Sequence, residues 1–293
     1  MHKLNRISSA MRYVWHRAYA DFLMPNRLEL YRELLEGAVA RGYEAHSVLS
    51  FWQSVKPKTL DPNGRYLILR HDIDNRDWQT TRRFWDIERQ MRLKSTFYFR
   101  MSTLMPDLMR EMHDSGFEVG YHYEELATIA KEKGFTKPEQ TYSLMAEIRE
   151  RFKSNLSAFR EITGLPSHTV ASHGDFANRK LGIENTELLQ DEATRREAKI
   201  ECEAYDSALR DHISTLHSDV EHPGNWTPED PRWAIERGEH VVHILTHPRN
   251  WHADRARNLA DELSRMREGL SYLLRARRFA ELTSLHTAHK LDL

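Results

Sequence analysis

One cysteine, Cys202, stands among 293 residues. A single thiol excludes an internal disulfide and a zinc site built from several cysteines, and a reducing cytosol is its natural setting. Long apolar runs are missing too. Met1 to Met24 is broken by Arg6, Arg12, His16, Arg17 and Asp21, so it lacks the apolar core of a secretory signal peptide. Nowhere does the chain approach the roughly 18 apolar residues of a membrane span. A cytoplasmic protein is therefore expected. Neither sign of charge prevails: 43 Lys and Arg against 44 Asp and Glu give a net charge of -1, which gives no reason to expect a nucleic-acid partner. Repeats and low-complexity segments are absent. What remains is 40% hydrophobic and 30% charged, long enough for one large α/β domain or two small ones.

The N-terminal part reads as helical. Ser8–Met24 mixes Arg with Tyr13, Trp15, Tyr19 and Phe22, and Arg27–Arg41 spaces Leu28, Leu34, Leu35 and Val39 at near-helical intervals before Gly42. Leu49–Trp52 reads as a short strand or turn, and Pro57 to Gly64 as a loop. From Arg65 strands alternate with helices. Strands are expected at Tyr66–Leu69, Ser95–Phe99, Phe117–Tyr121, His168–Ser172, Lys199–Tyr205, Ile213–Leu216 and His240–Leu245. Helices are expected over Trp78–Arg92, Leu104–Ser115, Pro138–Thr163 and Ala253–Arg277. Asn178–Gln190 and Val220–Arg237 read as loops, the latter with three prolines and two tryptophans. This alternation implies a parallel sheet with helical crossovers. An irregular (β/α) barrel of about seven parallel strands suits it, with a helical extension over 1–60 and the barrel over 61–293. An open doubly wound sheet is the alternative.

The strand ends carry the chemistry. Tyr66-Leu67-Ile68-Leu69 runs into Arg70-His71-Asp72-Ile73-Asp74. Two carboxylates one residue apart at the end of a buried strand repel each other, and a bound divalent metal offsets that. The third strand delivers His122, then Tyr123, Glu124 and Glu125; His168–Ser172 delivers His173-Gly174-Asp175; the last delivers Thr246-His247-Pro248. In a parallel sheet these ends lie on one face, so four strands present Asp and His at one rim. Glu124 and Glu125 read as the start of a solvated helix, and Trp226, Trp233 and Trp251 as loop packing before a sugar platform.

Taken in order, these residues resemble the polysaccharide deacetylase family, with its chitooligosaccharide deacetylase homology domain. The resemblance rests on Leu69-Arg70-His71-Asp72-Ile73-Asp74, Ser95-Thr96-Phe97-Tyr98-Phe99, Gly116-Phe117-Glu118-Val119-Gly120-Tyr121-His122 and Ile244-Leu245-Thr246-His247-Pro248. It implies a distorted (β/α) barrel that removes N- or O-acetyl groups from a sugar or glycan precursor with one divalent metal, often zinc. It implies Asp72 as general base, Asp74 and His122 as metal ligands and His247 as general acid. The family's second motif has two histidines four positions apart, whereas Leu126 follows His122 at that spacing. His173, or next Glu124, is the candidate to replace the missing ligand. The family's Arg-x-x-Pro motif is absent, and Ser172-His173-Gly174 stands there instead. Arg70, Tyr123 and Asp175 complete the candidate set as residues that bind substrate or orient the acid and base. Two rival readings stay open: a degenerate domain that binds glycan or a partner without turnover, and a glycosyltransferase whose Asp72 and Asp74 hold a metal on a nucleotide sugar.

Overall fold

A computed structural model describes residues 15, 18–56, 59–222 and 225–291. Nine strands form one sheet: β1 (Glu44–His46), β2 (Tyr66–Ile73), β3 (Thr96–Phe99), β4 (Glu118–Tyr123), β5 (Thr169–Ser172), β6 (Cys202–Glu203), β7 (Thr215–His222), β8 (Asn225–Thr227) and β9 (Val241–Thr246). Their order is β6-β5-β4-β3-β2-β9-β7-β8, with β1 also on β2. β2 to β7 and β9 are the seven parallel strands of the expected barrel; β1 is a short parallel addition, and β8 runs antiparallel to β7. The first half of β2 pairs with β1 and the second half with β3, while β9 takes its other edge.

The sheet is curled, and contact distances prove it. In a flat sheet β2 and β5 would stand roughly 14 Å apart, three strand spacings. Yet His173, just beyond β5, brings its Nε2 to 3.6 Å from Asp74 Oδ1 at the end of β2. Tyr205, beyond β6, places its hydroxyl 3.0 Å from Arg70 Nη2 on β2. The curl stops short of a closed barrel: among the described residues no ladder joins β6 to β7.

Strand alternation sorts the side chains of β2. Leu67, Leu69 and Ile73 join the large apolar core between the sheet and its helices. Ile68 turns inward to a smaller cluster with Tyr98, Ala171, Cys202 and Val241, plugged by Val48, Phe51 and Val55 of the helix Val48–Val55. That helix stands where a short strand or turn was expected. Ser47 caps it through the Ser50 backbone, and its Leu49 N–H donates to Glu118 at the start of β4. Gly120 on β4 leaves room for the Tyr98 ring in the lumen; a Cβ there would sit 2.5 Å from that ring and 2.8 Å from the Thr169 carbonyl.

Other segments depart from expectation. Pro138–Thr163 is two helices, Pro138–Tyr142 and Met145–Thr163. Asn178–Gln190 is not loop: helix Phe176–Leu181 and a 3-10 turn at Asn185–Gln190 occupy it. Val220–Arg237 contains the end of β7, β8 and a helix, Pro231–Arg237, begun by Asp230 as N-cap and Pro231 in its first turn. The expected helix over Ser8–Met24 falls mostly outside the described residues; Tyr19–Leu23 forms a π-helical turn.

A buried polar knot ties the N-terminal helix Leu28–Ala40 to the sheet. His71 bonds Thr246 of β9 at 2.6 Å and Glu88 of the helix Trp78–Gln90 at 2.7 Å. Glu88 also accepts from Ser95 Oγ at 2.6 Å and from the Tyr31 hydroxyl. His71 is thus consumed by the fold. Glu88→Ala would leave three buried polar groups unpartnered, and removing one partner of such a network costs about 3–5 kcal/mol. The expected outcome is a large drop in melting temperature. An unchanged midpoint would show that the knot contributes nothing.

Candidate active site

The carboxyl ends of β2, β4, β5 and β9 meet at one mouth. Asp72 and Asp74 come from β2 and the residue after it, His122 from β4, His173 from just past β5 and His247 from just past β9. His122 Nε2 lies 3.5 Å from both Asp72 Oδ2 and Asp74 Oδ1. His247 Nε2 lies 3.9 Å from Asp74 Oδ2. The inward set from the four strand ends therefore sits together.

Each acid and base has a dedicated partner. Arg70 grips Asp72 with two hydrogen bonds, Nε to Oδ1 at 2.9 Å and Nη2 to Oδ2 at 2.8 Å. Burial alone would raise the Asp72 pKa, but the Arg70 guanidinium, with His122 and His247, outweighs it and holds the carboxyl below its usual value. Asp72 is thus kept as a carboxylate in a buried place. His247 Nδ1 donates to Asp219 Oδ1 at 2.6 Å. Asp219 is itself fixed by the His247 backbone N–H and by the Trp251 indole at 2.8 Å. Burial works against charge on His247, yet Asp219, Asp74 and Asp72 raise its pKa to about 9.

The third group is the trio Asp74, His122 and His173. His122 Nδ1 lies 2.9 Å from the Ala171 carbonyl, which can only accept, so Nδ1 carries a hydrogen and the neutral ring is left with a lone pair on Nε2. That lone pair faces Asp74 Oδ1, a buried oxygen with no hydrogen-bond partner. His173 turns its Nδ1 toward Glu124, 3.3 Å away, and its Nε2 toward Asp74. Asp74, His122 and His173 can each offer a ligand atom within 4.8 Å of the others. Two imidazoles and a carboxylate suit zinc or a similar transition ion better than magnesium or calcium.

A second cluster, Glu124 with His173 and Asp175, is equally compact. Its carboxylates are already neutralised. Arg100 bonds both Glu124 oxygens, at 2.8 and 2.6 Å through Nη2, and Lys131 Nζ lies 2.6 Å from Asp175. Glu124 is therefore placed to orient His173 from behind, as carboxylates do for ligand histidines.

The three residues expected to bind substrate or orient the acid and base are placed differently. Arg70 is fully buried, with its guanidinium spent on Asp72 and Tyr205, so it can position the base but offers no surface. Tyr123 is one residue from His122 and therefore on the opposite face of β4; its ring packs edge-on against Phe152. Asp175 caps the helix Phe176–Leu181 through Ala177 N at 2.7 Å besides binding Lys131. Trp251 is buried on Asp219 and meets Trp226 edge-on, while Trp233 stands exposed on its own helix. Asp219 was missed because β7 was expected to stop at Leu216. The alternation Thr215, His217, Asp219 was the available signal. Arg100 was missed because nothing in the sequence couples it to Glu124.

No known family model matches the chain, and no curated protein matches it. Two of the solved structures that overlap it can be described. One is a mutant of a CE4 family pseudoenzyme with restored enzymatic activity: 14% identity, TM-score 0.36, 70% of this chain and 65% of that one. The other is a family 4 carbohydrate esterase from Bacillus anthracis: 17% identity, TM-score 0.33, 82% of this chain and 86% of that one. This chain thus spans just under two thirds of the first. Overlap of that size fixes neither this chain's ancestry nor its activity.

Calorimetric titration of chelator-stripped protein with zinc should show one equivalent bound. Alanine at Asp74, His122 or His173 should abolish tight binding, and Glu124→Gln should weaken it about 10–100-fold. Asp175→Asn should leave affinity unchanged; the opposite ranking would move the site to the second cluster. The charge on His247 gives a pH test in stripped protein. Its folded pKa of about 9 lies above the ordinary 6.5, so its contribution is full below pH 6.5 and is lost as pH rises through 9. That contribution reaches about 3 kcal/mol. The melting-temperature gap between wild type and His247→Gln should accordingly close between pH 6 and pH 10; a gap that widens would reverse the assignment.

Proposed function

We propose that the protein is a metal-dependent hydrolase that removes an N- or O-acetyl group from a sugar or glycan precursor. One observation carries this reading: a buried carboxylate held ionised by arginine and a histidine held protonated by aspartate flank an Asp-His-His trio at one mouth. A divalent cation held by Asp74, His122 and His173 would supply polarisation of the acetyl carbonyl and a water acidified toward about pH 7. The chain's own residues account for the proton movements. Asp72 takes a proton from the attacking water, whose oxygen joins the acetyl carbon. As the C–N bond breaks, His247 passes its Nε2 proton to the departing nitrogen, leaving acetate and a free amine; an ester releases an alcohol by the same transfer. Arg70 and Asp219 set the two resting protonation states without touching substrate.

The mouth opens into a cavity of about 450 Å³ lined by Asp74, His173, His247, Arg179, Arg249 and Arg265 among others. Such a volume suits a sugar ring with its acetyl group; Arg249 and Arg265 are paired with Asp21 and Glu262, and Asp175, Glu262 and Glu268 share the lining, so the wall is mixed in charge. No helix among the described residues is long and apolar enough to cross a membrane. The non-catalytic alternative draws support from Leu126, buried where the family has its second histidine. His173 supports the catalytic reading by presenting an imidazole to Asp74 from the neighbouring strand.

The test is acetate release by zinc-loaded protein over a panel of acetylated sugars and sugar phosphates. Asp72→Asn and His247→Ala should each lower turnover by about 10²–10⁴-fold, the usual worth of a general base or acid, with metal still bound. Near-normal turnover by either variant removes its role. Absence of acetate release from every substrate, with one metal bound, favours the binding domain.

A further inference from the structure

The C-terminal helix Arg255–Leu291 runs along the mouth of the site. One side packs on the barrel: Asn258 and Tyr272 are buried, and the Tyr272 hydroxyl bonds the Phe135 carbonyl at 2.5 Å. Another side carries Leu259, Leu263, Met266, Leu270 and Leu273, all between 51% and 70% exposed. Their spacings are four, three, four and three residues. That 3.5-residue repeat is the seam of a left-handed coiled coil, and Leu274 widens it. A scatter of exposed leucines is ordinary, whereas a contiguous apolar strip along four turns is not.

We propose that this seam pairs with the same helix of a second copy of the chain, in parallel and in register. The seam's spacing points to a helical partner, and charge sets the direction, although Glu262 already bonds Arg265 of its own helix at 2.9 Å and would have to share that contact. In a parallel pair, the residue preceding one seam position faces the residue five places on in the other helix. Glu262 of each copy then faces Arg267 of the other, twice by symmetry. An antiparallel pairing of the same seam would set Arg267 against Arg267. The helix as a whole is basic, with eight Lys and Arg against four Asp and Glu, so an anionic membrane surface is the rival occupant; the 3.5-residue spacing of the seam favours a second helix. Because Glu262, Arg265 and Glu268 also line the cavity, pairing would fix the helix that walls the mouth.

Sedimentation equilibrium on the full chain tests the pairing. Wild type should be a dimer, and the double variant Leu263→Lys, Leu270→Lys should raise the apparent Kd roughly tenfold or more. These side chains are exposed, so folding should survive, as circular dichroism can verify. Direction is read from thiols. Cys202 is buried and free, so Leu259→Cys or Leu273→Cys introduces the reactive group. Each single variant should cross-link to its own kind on oxidation, and Ser264→Cys should not. Cross-linking only in a mixture of the 259 and 273 variants would overturn the parallel register. A monomer at every concentration overturns the proposal, whether the seam is then covered by residues 1–14 of its own chain or binds anionic phosphatidylglycerol vesicles.

Discussion

Asp74 Oδ1 and His122 Nε2 face each other 3.5 Å apart in a buried place. With its Nδ1 hydrogen on the Ala171 carbonyl, a neutral His122 turns a lone pair to a buried carboxylate oxygen, which is costly; a proton on Nε2 or a bound cation is needed to relieve it. A cation between the two removes the conflict, and His173 stands where a third ligand would. The remaining chemistry follows from position. Asp72 lies as near His122 as Asp74 does, but both its oxygens are bonded by Arg70, and His247 is turned toward the trio by Asp219. Two carboxylates one residue apart thereby acquire different work.

The curl of the sheet makes this geometry possible. His122 and His173 belong to strands two and three places from β2, beyond side-chain reach in a flat sheet. Inside the curl, Ile68, Tyr98 and Val241 fill one end of the lumen while Arg70 and Tyr205 fill its middle. Only the last inward residue of each strand reaches the open end. The buried guanidinium of Arg70 is tolerable there because Asp72 balances it and Tyr205 stacks on it, 4.3 Å from ring centre.

Much of this was legible in the sequence, and for stated reasons. Tyr66-Leu67-Ile68-Leu69, Thr96-Phe97-Tyr98-Phe99 and Val241-Val242-His243-Ile244 are short apolar runs with strand-forming residues, so the strands were visible within a few positions. The convergence of Asp74, His122, His173 and His247 followed from parallel order alone. Illegible were the pairings that depend on three dimensions. Arg70 was expected either to bind substrate or to orient the base, and strand alternation aims it at Asp72 two residues away. Tyr123 lies on the wrong face of β4 for the same reason. Asp219 hid between the strand expected to end at Leu216 and the loop expected from Val220, although β7 continues to His222. The helix Val48–Val55 was obscured by Phe51 and Trp52, which favour strands locally but here plug the lumen from a helix face.

Anomalous scattering from a crystal of the protein grown with zinc would test the central claim most directly. The account requires one peak bonded to Asp74, His122 and His173, with Asp72 and His247 beside it but unligated. A peak held by Glu124, His173 and Asp175, or no bound zinc at the strand ends, would contradict it.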